Sequence, residues 1–288
     1  MPILDRGKRG LRVERQPLVL GPGSYLDPCA AGPHLFEDFI GPIGATLADS
    51  SRISVAQSGT ATTTAALSGT AGAPVAGHGG WIAGSVDNVD NEIDEIALGD
   101  APWLVPAALP AGGLIVAEIG FVVPVALTAR MYFAGLSDAA TGGADDDGPI
   151  SIVTGTTTVS GVTADGVGFL MSSLATDADA WYAVASKATT AGTAFNTTSG
   201  TGASAGPAVV DKYTKLRVEV DVDGDCYFYV VVDGGSNGRD QITPVYQQAQ
   251  AAAVTAATAL LPIFTAASTT TTAVEWEIDY IFGAATHG

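Results

Sequence analysis

The sequence predicts an all-β sandwich carried behind an extended N-terminal arm. Three observations carry this. Short apolar runs, separated by Gly, Ser, Thr and Asp clusters, recur from about residue 36 onward, with no long amphipathic helix among them. Gly and Pro number 36 and 15 in 288 residues, a density that punctuates strands and breaks helices. Charged residues make up only 15% and hydrophobic residues 47%, which excludes a coiled coil and a disordered acidic chain. A chain of this length buries a sizeable core without disulfide or metal support.

The arm is read over residues 1–35 and the body over 36–288. Arg6, Lys8, Arg9, Arg12 and Arg15 supply five of the twelve basic residues, against Asp5 and Glu14. Pro17, Pro22, Pro28 and Pro33 follow, and prolines at that spacing favour extended chain over helix. A basic arm on a body that brings the net charge to -18 points to docking on an acidic neighbour, with Tyr25 as an added contact residue. The same charge excludes nucleic-acid binding by the bulk of the chain, because phosphate is repelled. MPILDRGKRG is followed by no apolar core of a signal peptide. Cys29 and Cys226 are too few and too far apart for a disulfide framework.

Nine strands are expected: 91–98, 114–123, 129–136, 166–172, 181–186, 215–222, 226–233, 259–264 and 273–282. In 215–222, Leu216, Val218, Val220 and Val222 alternate with Arg217, Glu219 and Asp221, the pattern of a half-buried strand. Asp223-Gly224 then supplies a tight turn into the return strand with Tyr227, Phe228 and Tyr229. In the last strand Val274, Trp276, Ile278 and Tyr280 share one side, and Glu275, Glu277 and Asp279 the other. The apolar stretch 114–129 contains Glu118 and Pro124 and is rich in β-branched residues, so it reads as two buried strands and not a membrane span. Residues 192–206 are low in complexity and read as a flexible loop. Residues 246–261 are Ala-rich, and helix and irregular structure both stay open there.

No catalytic constellation is expected. Glycosidic cleavage on a strand needs carboxylates at i, i+2 and i+4 on one face. Glu92 and Asp94 are followed by Ile96, and Glu277 and Asp279 by Ile281, so each set lacks its third acid. These acids read as solvent-facing. The string Gly202-Ala203-Ser204-Ala205-Gly206 has no strand-turn-helix setting for a nucleophile elbow. His34, His78 and His287 have no metal-ligand spacing. Calcium is the one cofactor that the oxygen-rich loops suggest, with Asp87, Asp90 and Asp94 as candidate ligands and Asp145–Asp147 as a second cluster. Asp221, Asp223 and Asp225 begin like an EF-hand loop, but Cys226 and Val232 replace its Gly and Glu. Trp81, Trp103, Trp181, Trp276 and Tyr182 read as core residues before they read as a sugar platform.

The segments RMYFAGLSDAA (130–140), ADGVGFLMSSLATDADAWYAVASK (164–187), DKYTKLRVEVDVDGDCYFYVVVDG (211–234) and VEWEIDYIFG (274–283), taken in order, resemble a group of tailed-bacteriophage virion proteins. FEDFIG (36–41) and NEIDEIALGD (91–100) fit the same pattern. The resemblance implies a concanavalin-A-like jelly roll, a virion structural role, no enzymatic activity and no cofactor. It implies a capsid decoration or cement protein on the outer surface of the capsid. Such a protein would be a homotrimer by analogy and would dock on the major capsid protein or another virion subunit through Arg6, Lys8, Arg9, Arg12, Arg15 and Tyr25. The alternative is a lectin-like carbohydrate-binding module of a tail fibre or spike. Neither reading involves nucleic acid or membrane.

Overall fold

The computed structural model describes residues 31–37, 53–57, 82–86, 92–99, 101–123, 128–139, 148–152, 154–155, 159–176, 178, 180–187, 194–195, 204–232, 241–244, 253–271 and 274–286. Alternating apolar residues in these segments form seventeen strands, and two large antiparallel sheets stack face to face. The first, sheet A, runs β1(Ala31–Glu37)-β17(Val274–Thr286)-β5(Leu114–Val122)-β13(Thr214–Asp221)-β14(Cys226–Val232)-β15(Gln241–Pro244), with β3(Ile82–Val86) also on β17. The second, sheet B, runs β11(Ala194–Phe195)-β10(Ala180–Ser186)-β9(Gly166–Ser172)-β6(Arg130–Ser137)-β16(Leu261–Ser268)-β4(Ile93–Leu98)-β2(Ile53–Gln57), with β12(Ser204–Pro207) on β10. The fold is the expected jelly-roll sandwich. Residues 1–30 of the arm lie outside the described residues, and β1 starts at Ala31.

The core lies between the sheets because each strand turns alternate residues inward. Ile115, Ala117, Ile119 and Phe121 of β5 and Leu216, Val218 and Val220 of β13 meet Tyr132, Ala134, Phe169, Trp181 and Phe264 of sheet B. Phe121 stands edge-on to Trp181 at 5.4 Å between ring centroids, a favoured aromatic geometry. Trp181 and Trp276 are core residues, as the sequence suggests.

A second apolar cluster seals the outer face of sheet B. Phe133, Leu170, Tyr182, Val184 and Ile263 project there, and Ile150, Ile152 and Val159 close over them. The last three come from a small hairpin, β7(Ile150–Ile152) and β8(Val159–Gly161), too short for its sequence to announce.

Several expectations change. The described residues of 114–129 hold β5, and β6 begins at Arg130, one residue past its expected start. The described residues of the 192–206 stretch are paired where a loop was expected, since β11 and β12 both pair with β10. The described part of the Ala-rich stretch, 253–260, forms turns, with Leu260 bridged to Leu104. The β13–β14 turn is wider than two residues. The last pair is Val220–Cys226, and Asp221 caps the loop by accepting the N–H groups of Asp223 and Asp225 at 3.0 Å each. Gly224 turns it with φ +82°, a conformation that favours glycine. No helix among the described residues is long and apolar enough to cross a membrane.

Candidate functional site

The outward residues of sheet A are not the solvated set that their charge suggests. β13 turns Lys215, Arg217 and Glu219 away from the core, and the burial of each is nearly complete, Arg217 being 0% exposed. Cross-strand register lines them up with residues of the neighbouring strands. Phe282, Glu118, Arg217 and Tyr229 form one row; Tyr280, Gly120 and Lys215 form the next; Ala284, Val116, Glu219 and Tyr227 form the third.

Arg217 sits between two carboxylates. Its Nε donates to Glu219 Oε1 at 2.9 Å, its Nη2 stands 2.7 Å from the same oxygen as an ion-pair contact, and its Nη1 donates to Glu118 Oε2 at 3.4 Å. One oxygen of Glu219 therefore holds the guanidinium at its Nε edge, and Glu118 holds it through Nη1. Glu118 takes a second hydrogen bond on Oε1 from the Tyr280 hydroxyl at 2.5 Å. Burial pushes the Glu118 carboxyl above the usual range and outweighs the opposing pull of Arg217 and the Tyr280 bond. Arg217 thus lies between Glu219 and a Glu118 carboxyl that keeps its proton more tightly than usual. Burial, and then the neighbouring Glu219, push the Tyr229 hydroxyl upward.

A β-bulge places Tyr280 here. Ile278 pairs with Phe121 and Tyr280 with Gly120, so Asp279 is an extra residue on β17. The inward set Val274, Trp276, Ile278 becomes Ile281 and Ala285 after the bulge, and Tyr280 moves to the outer face. This corrects the expected alternation. Asp279 is buried and accepts the Tyr213 hydroxyl through a short hydrogen bond. Gly120 leaves the space in which these groups meet, because a Cβ there would collide with the Tyr213 hydroxyl and the Tyr280 ring. Lys215 lies 5.2 Å from the Tyr213 ring centroid, a cation–π contact. Four of the chain's eight tyrosines, Tyr213, Tyr227, Tyr229 and Tyr280, are on this face. Tyr213 and Tyr227 are half-exposed and mark its two margins.

The residues singled out from the sequence lie elsewhere. Arg6, Lys8, Arg9, Arg12, Arg15, Tyr25, Asp87, Asp90 and Asp145–Asp147 are outside the described residues. Asp94 points into the sandwich, where Oδ2 accepts Trp276 Nε1 at 3.0 Å. Glu92, Asp94 and Asp279 are buried, which corrects their reading as solvent-facing acids, and Glu95 is buried beside the first two. Among the described residues no group of three or more His, Cys, Asp or Glu side chains is arranged to hold a metal ion. The sequence did carry a signal for Arg217: opposite charges at i and i+2 on β13, and one glutamate, Glu118, within an apolar run.

No family model matches the chain, and no curated protein is significantly similar to it. Solved structures do match. A Shewanella oneidensis MR-1 protein of unknown function is similar at TM-score 0.53 and 17% identity, over 88% of this chain and 86% of its own. An endo-1,3-β-glucanase from Streptomyces sioyaensis is similar at TM-score 0.52 and 15% identity, over 92% of this chain and 100% of its own. Peanut lectin follows at TM-score 0.45 and 13% identity, a likeness that carries no argument of its own. These likenesses show the jelly-roll fold. They also correct the expectation that the chain is no enzyme, since a glucanase has the same architecture over nearly the whole of it.

Proposed function

We propose that the chain is a carbohydrate-binding jelly-roll module whose recognition surface is the outer face of sheet A. The observation that carries this is the half-exposed pair Tyr213 and Tyr227, set on a buried network of Tyr229, Tyr280, Glu118, Lys215, Arg217 and Glu219. Sugar rings offer C–H faces to aromatic rings and hydroxyls to charged groups, and a tyrosine serves both needs. The half-exposed margins at Tyr213 and Tyr227 are where a glycan chain first makes contact. Arg217, fixed by two carboxylates, holds the centre of the face rigid. Placement on a virion, as part of a fibre or spike, belongs to the same proposal and draws on the sequence resemblance alone. A capsid decoration protein would have the same jelly roll, but such a role has no need of these tyrosines.

The test is a panel of bacterial surface polysaccharides and 1,3-β-glucan, with binding and release of reducing ends read separately on the full chain. The expected result is binding to at least one glycan, weakened about tenfold or more (1.4 kcal/mol per tenfold) by Tyr213→Ala or Tyr227→Ala. Absence of binding across the panel, or binding that both variants leave unchanged, overturns the proposal.

A further inference from the structure

One corner of the outer face of sheet A is different from its buried centre. Asp211 and Lys212 are exposed beside half-exposed Tyr213, Glu275 is exposed, and Glu277 is half-buried. Lys212 N–H donates to the Val209 carbonyl, and this turn brings Val209 to the same corner. Val209 is the one exposed large hydrophobic residue among the described residues. Burial raises the Glu277 carboxyl, and Asp211 and Glu275 raise it further, as like charges close together do. No ion pair among the described residues neutralises Asp211, Glu275 or Glu277. The corner therefore offers an apolar anchor, an aromatic ring and three carboxylates to a partner that brings positive charge with small apolar side chains.

The chain contains such a partner. Arg6, Lys8, Arg9, Arg12 and Arg15 are interleaved with Leu11 and Val13. We propose that this basic segment of one copy docks on the Val209–Tyr213 and Glu275–Glu277 corner of a second copy. Contour length puts a second copy within reach of the segment. Ala31 pairs with Thr286. From Thr286 back to Glu277 and Glu275 is nine to eleven residues of β17, roughly 31–37 Å at a strand's rise. Arg15 and Arg6 precede Ala31 by sixteen and twenty-five residues. At the extension that proline-rich linkers adopt, this is about 50–78 Å, more than the width of a body this size, about 45–50 Å. A neighbour's corner therefore lies within the contour of the segment. Reciprocal exchange of the segment closes a dimer, and one-way exchange builds rings or chains.

The test is the oligomeric state of the full chain by sedimentation velocity, at low salt and at about 1 M salt, where the screening length falls to ~3 Å. The expected result is assembly at low salt that dissociates at high salt. Glu275→Lys with Glu277→Lys should leave the chain monomeric, as should Arg9→Glu with Arg12→Glu and Arg15→Glu. A chain with both sets should assemble again. Carbodiimide crosslinking of mixed light and heavy-isotope wild-type chains adds a readout that needs no variant: Lys8 should join Glu275 or Glu277 across the two labels. A wild-type chain that is monomeric at low salt, assembly that neither set of variants weakens, or Lys8 crosslinks confined to one chain would overturn the proposal.

Discussion

The two outer faces of the sandwich solve the same problem with opposite chemistry. Sheet B covers its outer face mainly with hydrocarbon: Ile150, Ile152 and Val159 of the β7–β8 hairpin close over Phe133, Leu170 and Tyr182, with Glu95 and Thr265 the buried polar residues in the Phe133 row. Sheet A fills its outer face with Glu118, Arg217, Glu219, Lys215 and tyrosines, nearly as deeply buried. An apolar seal is non-directional and tolerates exchange of similar volumes. An ionic row is directional: every partner left behind by a deletion becomes a buried, unpaired group. Stability alone could have been met by hydrocarbon on both faces, so the polar face is the one whose chemistry asks for a functional reason.

The largest effect expected is from Arg217→Ala. It strands Glu118 and Glu219 and should lower unfolding free energy by about 3–5 kcal/mol, read by urea denaturation. Replacing Arg217, Glu118 and Glu219 together with Met and Leu should be far milder, and if the triple variant is the worse of the two, the contrast between the faces fails. On sheet B, Phe133→Ala should cost about 3–5 kcal/mol through its cavity, but equally at all salt concentrations and at every pH where the protein stays folded. Tyr280→Phe comes next, at about 1.5–3 kcal/mol for a hydrogen bond to a charged group, and less where Glu118 is protonated.

Glu118→Gln sharpens the comparison through pH. Glu118 binds its proton more tightly folded than unfolded. Its contribution to stability is therefore complete below the unfolded value of 4.5 and is lost as pH rises through the folded value. The variant, always neutral, has no such loss, so its stability relative to wild type should increase with rising pH. A relative stability that falls with pH would mean that Arg217 outweighs burial. The smallest effect is expected from Ile152→Val on the hairpin, about 0.5–1.5 kcal/mol, with no change in the pH profile.

The sheet grammar was open to reading in the sequence because alternation reports burial directly. All nine expected strands exist, displaced by a few residues at their ends. The polar face was far less legible. Arg217 and Glu219 carry the pattern of a solvent-facing edge, and only the register of β13 against β5 brings them to Glu118. Tyr280 reads as inward by alternation, and the bulge at Asp279, which reverses it, depends on pairing with Gly120 and leaves no local signature. The β7–β8 hairpin has three residues in each strand, too few for periodicity to register. In the low-complexity stretch, pairing with β10 decides the outcome for β11 and β12 where their own composition does not. Each miss has the same cause: a long-range partner overrides a local pattern.

The central claim is that the tyrosine-lined face of sheet A reads the ligand and the sealed face of sheet B does not. Ring-labelled tyrosine NMR, during titration of the full chain with the glycan that binds it, tests this most directly. The resonances of Tyr213, Tyr227 and Tyr229 should shift in a saturable way, while Tyr182, on the outer face of sheet B, and Tyr132, between the sheets, stay in place. Shifts at Tyr182 with the sheet A tyrosines unmoved would contradict the account.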